Sequence, residues 1–250
     1  MATDALSKQY RSLDDWFETA QGERVAHAFA KELEKHQEFL YGKSLLQLGN
    51  CGTNIWLKSM HFYYKWIVTP YLNIQNTSLM SSITSLPLEK NSLDCLIAPF
   101  TLEILSLDKN LIVEIDRILK PAGYVIFFGI NPWSFWGASV KWGNIDYLSH
   151  AVKYLTSSFS IKRILLNLGY NQYLHHSFYY IPPVSKEKYI LKLEFFNEIG
   201  KMLWPFPAGF YCLILQKNEY AFSGLVPADD LGLFVEGKPS MSLSGKLIHQ

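Results

Sequence analysis

The sequence predicts a doubly wound α/β fold, a largely parallel sheet with helices on both faces, and three observations predict it. Short apolar runs alternate with amphipathic segments along much of the 250 residues, the order that builds strand–helix–strand units. The run "YVIFFGI", Tyr124 to Ile130, is apolar without alternation, as in a strand covered on both faces. In "SLLQLGNCGTN", Ser44 to Asn54, an apolar run feeds a glycine-rich turn, the connection at which such folds bring backbone close to a ligand.

The elements follow in order. After a polar start, Trp16 to Leu40 has helical spacing, with Phe17, Val25, Ala28, Phe29, Leu33 and Leu40 able to share one side. "SLLQLG" is a short buried strand ending at Gly49. A helix is expected over Thr53 to Tyr63, then a second strand over Lys65 to Thr69, stopped by Pro70. The polar stretch Asn73 to Ser85 holds a short third strand near Leu79, and "LDCLIAPF" is the fourth. Ile104, Leu107, Leu111, Ile115, Ile118 and Leu119 follow the helical period, and "KPAG" supplies the stop before "YVIFFGI". Beyond Asn131 the stretch "NPWSFWGASVKWGNIDYLSH" reads as an aromatic loop. A helix near Phe159 to Leu168 follows, then strands near Tyr173 to Ile181 and Phe210 to Gln216 flanking a helix over Lys186 to Leu203. The expected organisation is a helical segment over 1–40, an α/β domain over 41–218 and an aperiodic tail over 219–250.

Composition excludes several classes. A formal net charge of +1 lacks the basic stripe of a nucleic-acid binder. The three cysteines, Cys51, Cys95 and Cys212, are widely spaced without a CxxC pair, which argues against a disulfide framework or a zinc site. The start "MATDALSKQYRSLDDWFE" is too polar for a signal or transit peptide, and no run approaches the roughly 20 apolar residues of a membrane span. The expected location is the cytoplasm. His175 and His176 are adjacent in a strand, so they face opposite sides and do not readily share a metal.

Two stretches, "ITSLPLEKNSLDCLIAPFTLEIL" and "LIVEIDRILKPAGYVIFFGINPW", carry a family likeness. With the element order, they make residues Trp16 to Lys217 resemble the class I S-adenosylmethionine (SAM)-dependent methyltransferases, specifically the type 11 branch. In that family a Leu-Pro, a polar loop and a Phe-Asp-like pair lead into the fourth strand. A helix ending Arg-Val-Leu-Lys-Pro-Gly-Gly leads into the fifth. Leu86-Pro87, Leu93-Asp94 and Arg117 to Gly123 take those places, with Ala122 for one glycine. "NPWSFWG", "GKMLWPFPAGFYCLILQK" and the pattern Trp16, Thr19, Gly22 are similar to a bacterial subgroup of the branch. The resemblance implies a Rossmann-like seven-stranded sheet whose last hairpin is antiparallel. A dinucleotide-binding dehydrogenase is disfavoured, because "GNCGTN" lacks G-x-G-x-x-G spacing.

The resemblance also implies a site. Gly49, Asn50, Cys51 and Gly52 form the turn beside SAM, with Gln47 on strand one, a neutral residue near Thr69 to Asn73 ending strand two, Ser82 and Ile83 after strand three, and Pro99 ending strand four. S-adenosylhomocysteine would be the product. The family's acidic ligands are absent: no Asp or Glu lies between Glu38 and Glu89. Exchanging two or three charged acceptors for neutral ones weakens binding by about 2–5 kcal/mol, roughly 30-fold to several thousand-fold. Glu103 and Asn131 are the catalytic candidates at the productive sheet edge, to orient or deprotonate an acceptor. Glu103 also suits a helix first turn, and Asn131 before Pro132 suits a turn. Trp133, Phe135, Trp136 and His150 form the candidate acceptor pocket, for a small or lipid-like acceptor, with peripheral membrane contact or plain packing as other uses of the aromatics. Two functions follow: a methyltransferase, or a methyltransferase-fold binding or regulatory protein without catalysis.

Overall fold

The computed structural model describes residues 2–73, 75–184, 192–193 and 207–218. The expected helix over 186–203 and the tail over 219–250 lie essentially outside these residues.

The chain opens with two helices, α1 (Ala2–Phe17) and α2 (Ala20–Glu34), where the apolar period predicts one from Trp16. The break is chemical. Thr19 Oγ1 donates to the Trp16 carbonyl at 2.6 Å and accepts from the Gly22 amide at 3.2 Å, ending one helix and capping the next. Leu6, Tyr10, Leu13 and Phe17 sit at helical spacing on α1, and the last three are buried.

Strand β1 (Tyr41–Leu48) leads through the glycine-rich turn to a single helical turn, α3 (Trp56–Ser59), and then β2 (His61–Thr69). The helix expected as far as Tyr63 thus gives way at His61. "HFYYKWIVT" is a β-branched and aromatic run that fits a pleated strand better than a helix. Strand β3 (Leu79–Met80) is two residues long, and β4 (Leu93–Pro99) follows as expected.

The helix expected from Ile104 is two pieces, α4 (Thr101–Leu105) and α5 (Lys109–Ile118). They part at Ser106, which has φ of 59°, and Asp108 caps α5 through the Asn110 amide. Strand β5 (Leu119–Ile130) runs on directly. The aromatic stretch folds into α6 (Phe135–Lys141) and α7 (Leu148–Ala151), followed by α8 (Ser158–Asn167), β6 (Tyr170–Phe178) and β7 (Phe210–Lys217).

The seven strands are ordered β3-β2-β1-β4-β5-β7-β6. All pairs from β3 to β5 are parallel, while β7 runs antiparallel to both β5 and β6. This is the α/β sheet with an antiparallel last hairpin that the sequence implies. Strand order turns back between β1 and β4, and the carboxyl ends of those two strands flank the crevice where open α/β sheets bind ligands.

Candidate functional site

The crevice is built from two turns. One is the glycine-rich turn after β1, and the other is Phe100–Thr101 after β4, where Phe100 holds a left-handed φ of 50°. Non-glycine residues in that region are held there at a cost of about 1–3 kcal/mol and cluster at functional sites.

The first turn is held by amides. Gln47 is fully buried on β1; its Nε2 donates to the Gly49 carbonyl at 2.8 Å and to Asn54 Oδ1 at 2.6 Å, and its Oε1 accepts from Trp56 Nε1 at 2.8 Å. Asn54, with φ of 48°, also accepts from the Cys51 amide and donates to Asn50 Oδ1 and the Gly52 carbonyl. Gln47 therefore spends its hydrogen-bonding groups on the turn.

A residue upstream completes the arrangement. Asp14 of α1 is buried, and its Oδ1 accepts from Asn50 Nδ2 and the Gly52 amide, both at 2.7 Å. Its Oδ2 accepts from the Tyr71 hydroxyl at 2.8 Å and Asn73 Nδ2 at 3.1 Å, just beyond β2. A region without an acid of its own receives one from α1. One turn earlier, Tyr10 lays its ring on Gly49: a Cβ there would lie 2.6 Å from Tyr10 Cε1, and Gly49 has φ of +89°. Tyr10 is wholly buried between the two turns, beside Thr101, Cys51 and Glu103, and burial pushes its phenol pKa up.

The crevice is therefore filled by side chains of α1. Two buried side-chain polar atoms, Trp16 Nε1 of α1 and Glu103 Oε2 of α4, have no hydrogen-bond partner among the described residues, and the Tyr10 hydroxyl has the Thr101 side chain beside it. Each such atom costs about 1–3 kcal/mol.

The other candidates fall in different places. Glu103 is buried on α4; its Oε1 accepts from the Ile130 amide at 3.0 Å and the Tyr211 hydroxyl at 3.3 Å. Burial pushes its carboxyl up to about 8, against the pull of those two donors. Pro99 is buried at the end of β4 and accepts from Thr101 Oγ1, and Ile83 is core. Ser82 is exposed and bonds with Thr84, away from the glycine turn's network. Cys51 is buried, and desolvation, then the Asp14 charge, hold its thiol well above the usual range.

Asn131 makes a turn: its Oδ1 accepts from the Trp133 amide at 3.2 Å, and its carbonyl from the Ser134 hydroxyl at 2.7 Å. The aromatic candidates separate. Trp136 is core, donating to the Ile181 carbonyl and packing on Trp16 and Phe210. Trp133 (82% exposed), Phe135 and Trp142 face outward, and His150 is an exposed residue of α7. His175 bonds Ser158 and His176 pairs with Glu32, so the two adjacent histidines have separate partners. Among the described residues no cluster is placed to hold a metal, and no helix is long and apolar enough to cross a membrane. A surface cleft of about 460 Å³ lies elsewhere, beside α2 and α3, lined by residues including His27, Lys31, Glu34 and Lys58.

Sequence reasoning missed Tyr10, Asp14 and Asn54, and pointed to Tyr71 and Asn73 only as part of the span Thr69 to Asn73. The signal for α1 was present, since Leu6, Tyr10, Leu13 and Phe17 follow the helical period. Nothing in the sequence tells that Asp14 reaches the turn after β1.

Comparison with known proteins places this geometry. Residues 65–127 match the type 11 family model described as "Methyltransferase domain". That span runs from β2 into β5 and leaves out the glycine-rich turn. No functionally curated protein matches the chain by sequence. Among solved structures, a SAM-dependent methyltransferase from Archaeoglobus fulgidus is similar with a TM-score of 0.54 at 18% identity, covering 76% of this chain and 93% of that one. A second, from Mesorhizobium loti, has a TM-score of 0.51 at 13% identity, covering 75% and 98%. The fold is that of the class I SAM-dependent methyltransferases.

Proposed function

We propose that the chain is a SAM-dependent methyltransferase. The observation that carries this reading is the type 11 methyltransferase segment set in a seven-stranded sheet of the methyltransferase order. We assign the acceptor side to the segment after the carboxyl end of β5, where Trp133 and Phe135 present exposed apolar rings. Those rings suit a small or lipid-like acceptor with an apolar face. Glu103 lies behind Gly129 of β5, and with its carboxyl neutral at pH 7 it suits orientation of an acceptor better than removal of a proton.

The conformation described does not accommodate SAM. Asp14 occupies the Gly52 amide, Tyr10 covers Gly49, and the residues that end β2 are already bonded to Asp14. The same filled crevice favours the second reading, a methyltransferase-fold binding or regulatory protein without catalysis.

Calorimetric titration with SAM and S-adenosylhomocysteine separates the two. Saturable binding, together with radiolabelled methyl transfer in cell extract that a Gly49→Arg variant loses, is expected of a methyltransferase. No heat at millimolar ligand, for the native chain and for a variant with an opened crevice, would leave the non-catalytic reading.

A further inference from the structure

We infer that α1 is a displaceable plug of the ligand crevice, and that the conformation described is the self-inhibited state. The inference rests on the methyltransferase reading and adds how its site is regulated. Two side chains one helical turn apart supply the chemistry of a ligand. Asp14 places a carboxylate on the Gly52 amide and the Asn50 side chain, and Tyr10 places a flat ring against Gly49. A ligand that combines a carboxylate with a flat ring, as SAM does, meets the same partners once α1 has left.

Opening the contact exposes Tyr10, Leu13, Trp16 and Phe17, all buried in the core, so the plug leaves only when a ligand offsets their burial. The buried polar atoms Trp16 Nε1, on α1, and Glu103 Oε2, on α4 beside Tyr10, have no partner among the described residues. The closed state thus carries unmet hydrogen bonding in the contact that must open, and water or ligand can satisfy these groups after opening. The attachment also has a natural hinge. Glu18 and Thr19 separate α1 from α2; a swing of α1 keeps the Thr19 cap on Gly22 and breaks the bond from Thr19 Oγ1 to the Trp16 carbonyl. The remaining polar anchors of α1 include Ser7 Oγ to the Pro70 carbonyl at 2.9 Å and Gln9 Nε2 to the Ala151 carbonyl at 3.3 Å. Both bonds are partly buried.

The test uses the full chain, with S-adenosylhomocysteine as the probe, in calorimetry and in hydrogen exchange. Asp14→Asn and Tyr10→Ala are expected to bind at least tenfold more tightly than the native chain. In the native chain, ligand is expected to speed exchange in residues 6–17 while slowing it in residues 47–54. Exchange of the native chain decides the matter if a variant fails to fold. Equal or weaker binding by folded variants, or slower exchange in residues 6–17 with ligand, overturns the plug and leaves the methyltransferase reading in place. No binding by any form, although exchange shows α1 released in Asp14→Asn, overturns the methyltransferase reading and the plug with it.

Discussion

Asp14 gathers four donors from two segments, Asn50 and Gly52 of the turn after β1 and Tyr71 and Asn73 beyond β2, on one buried carboxylate. Its neighbour Tyr10 depends on a missing side chain. Gly49→Ala brings a Cβ to 2.6 Å from the Tyr10 ring at a φ of +89°, so strain of about 1–3 kcal/mol adds to the collision. In Tyr10→Ala the collision disappears and only the strain remains. A double-mutant cycle by denaturant unfolding is expected to give a coupling of about 1–2 kcal/mol between the two sites. Additive effects would mean that the ring does not rest on the glycine. Glu103 gives a second prediction. Its carboxyl is held at about 8 by burial, against 4.5 ordinarily. The folded chain keeps a proton there that the unfolded chain releases, so this contribution to stability is full below pH 4.5 and is lost as pH rises through about 8. Glu103→Gln removes the titration, and the difference in melting temperature between variant and wild type should shift in the variant's favour from pH 5 to pH 9. A pH-independent difference would show a carboxyl that is charged throughout. At this scale the sequence was legible for residue types and silent on partners: the glycines and Gln47 stood out, while the acid that serves them lies 36 residues before Asn50.

Between α1 and α2 the pattern Trp16, Thr19, Gly22 acquires a physical reason. Thr19 bonds both ends of the corner, and a Cβ on Gly22 would stand 2.1 Å from the Trp16 carbonyl oxygen. Thr19→Ala should cost about 1 kcal/mol of stability as a lost cap. Gly22→Ala should cost more, because it forces the backbone of the corner apart, and both are read from thermal unfolding. A Gly22→Ala variant as stable as wild type would refute the corner as drawn. The helix expected from Trp16 onward failed here because apolar periodicity carries across a two-residue corner while the cap does not. The helix expected to Tyr63 failed for a different reason. Tyr63, Tyr64 and Trp66 are exposed at 80%, 44% and 37%, so their hydrophobicity marks strand preference rather than a buried helical face. Strands β4 and β7 were legible almost to their ends, whereas β5 starts at Leu119 and takes in the "KPAG" expected to stop the helix, five residues before the apolar run from Tyr124.

Across the whole molecule, order in the sheet falls from its centre to one edge. Strand β3 pairs with β2 only at Val68 and Thr69, so β2 from His61 to Lys65 has β1 on one side and no pairing strand on the other among the described residues. Hydrogen exchange should therefore be slowest in β4, β5 and β7 and fast at the edge-facing amides of Tyr63 and Lys65. Slow exchange at both amides would show that something covers that edge. The sheet order was legible because each strand announces itself locally; the filled crevice was not, because it is made by contacts between residues far apart in the chain. The buried thiols carry a consequence of the same arrangement. Cys51 lies under α1, whereas Cys95 and Cys212 lie in central strands, and all three are buried and free. An alkylating reagent mixed with the native chain should then mark Cys51 first, at the frequency with which α1 lifts away, and the other two only when the sheet comes apart. Mass spectrometry of the time course would read the chain as a clock with two hands, a fast one set by a single helix and a slow one set by the fold.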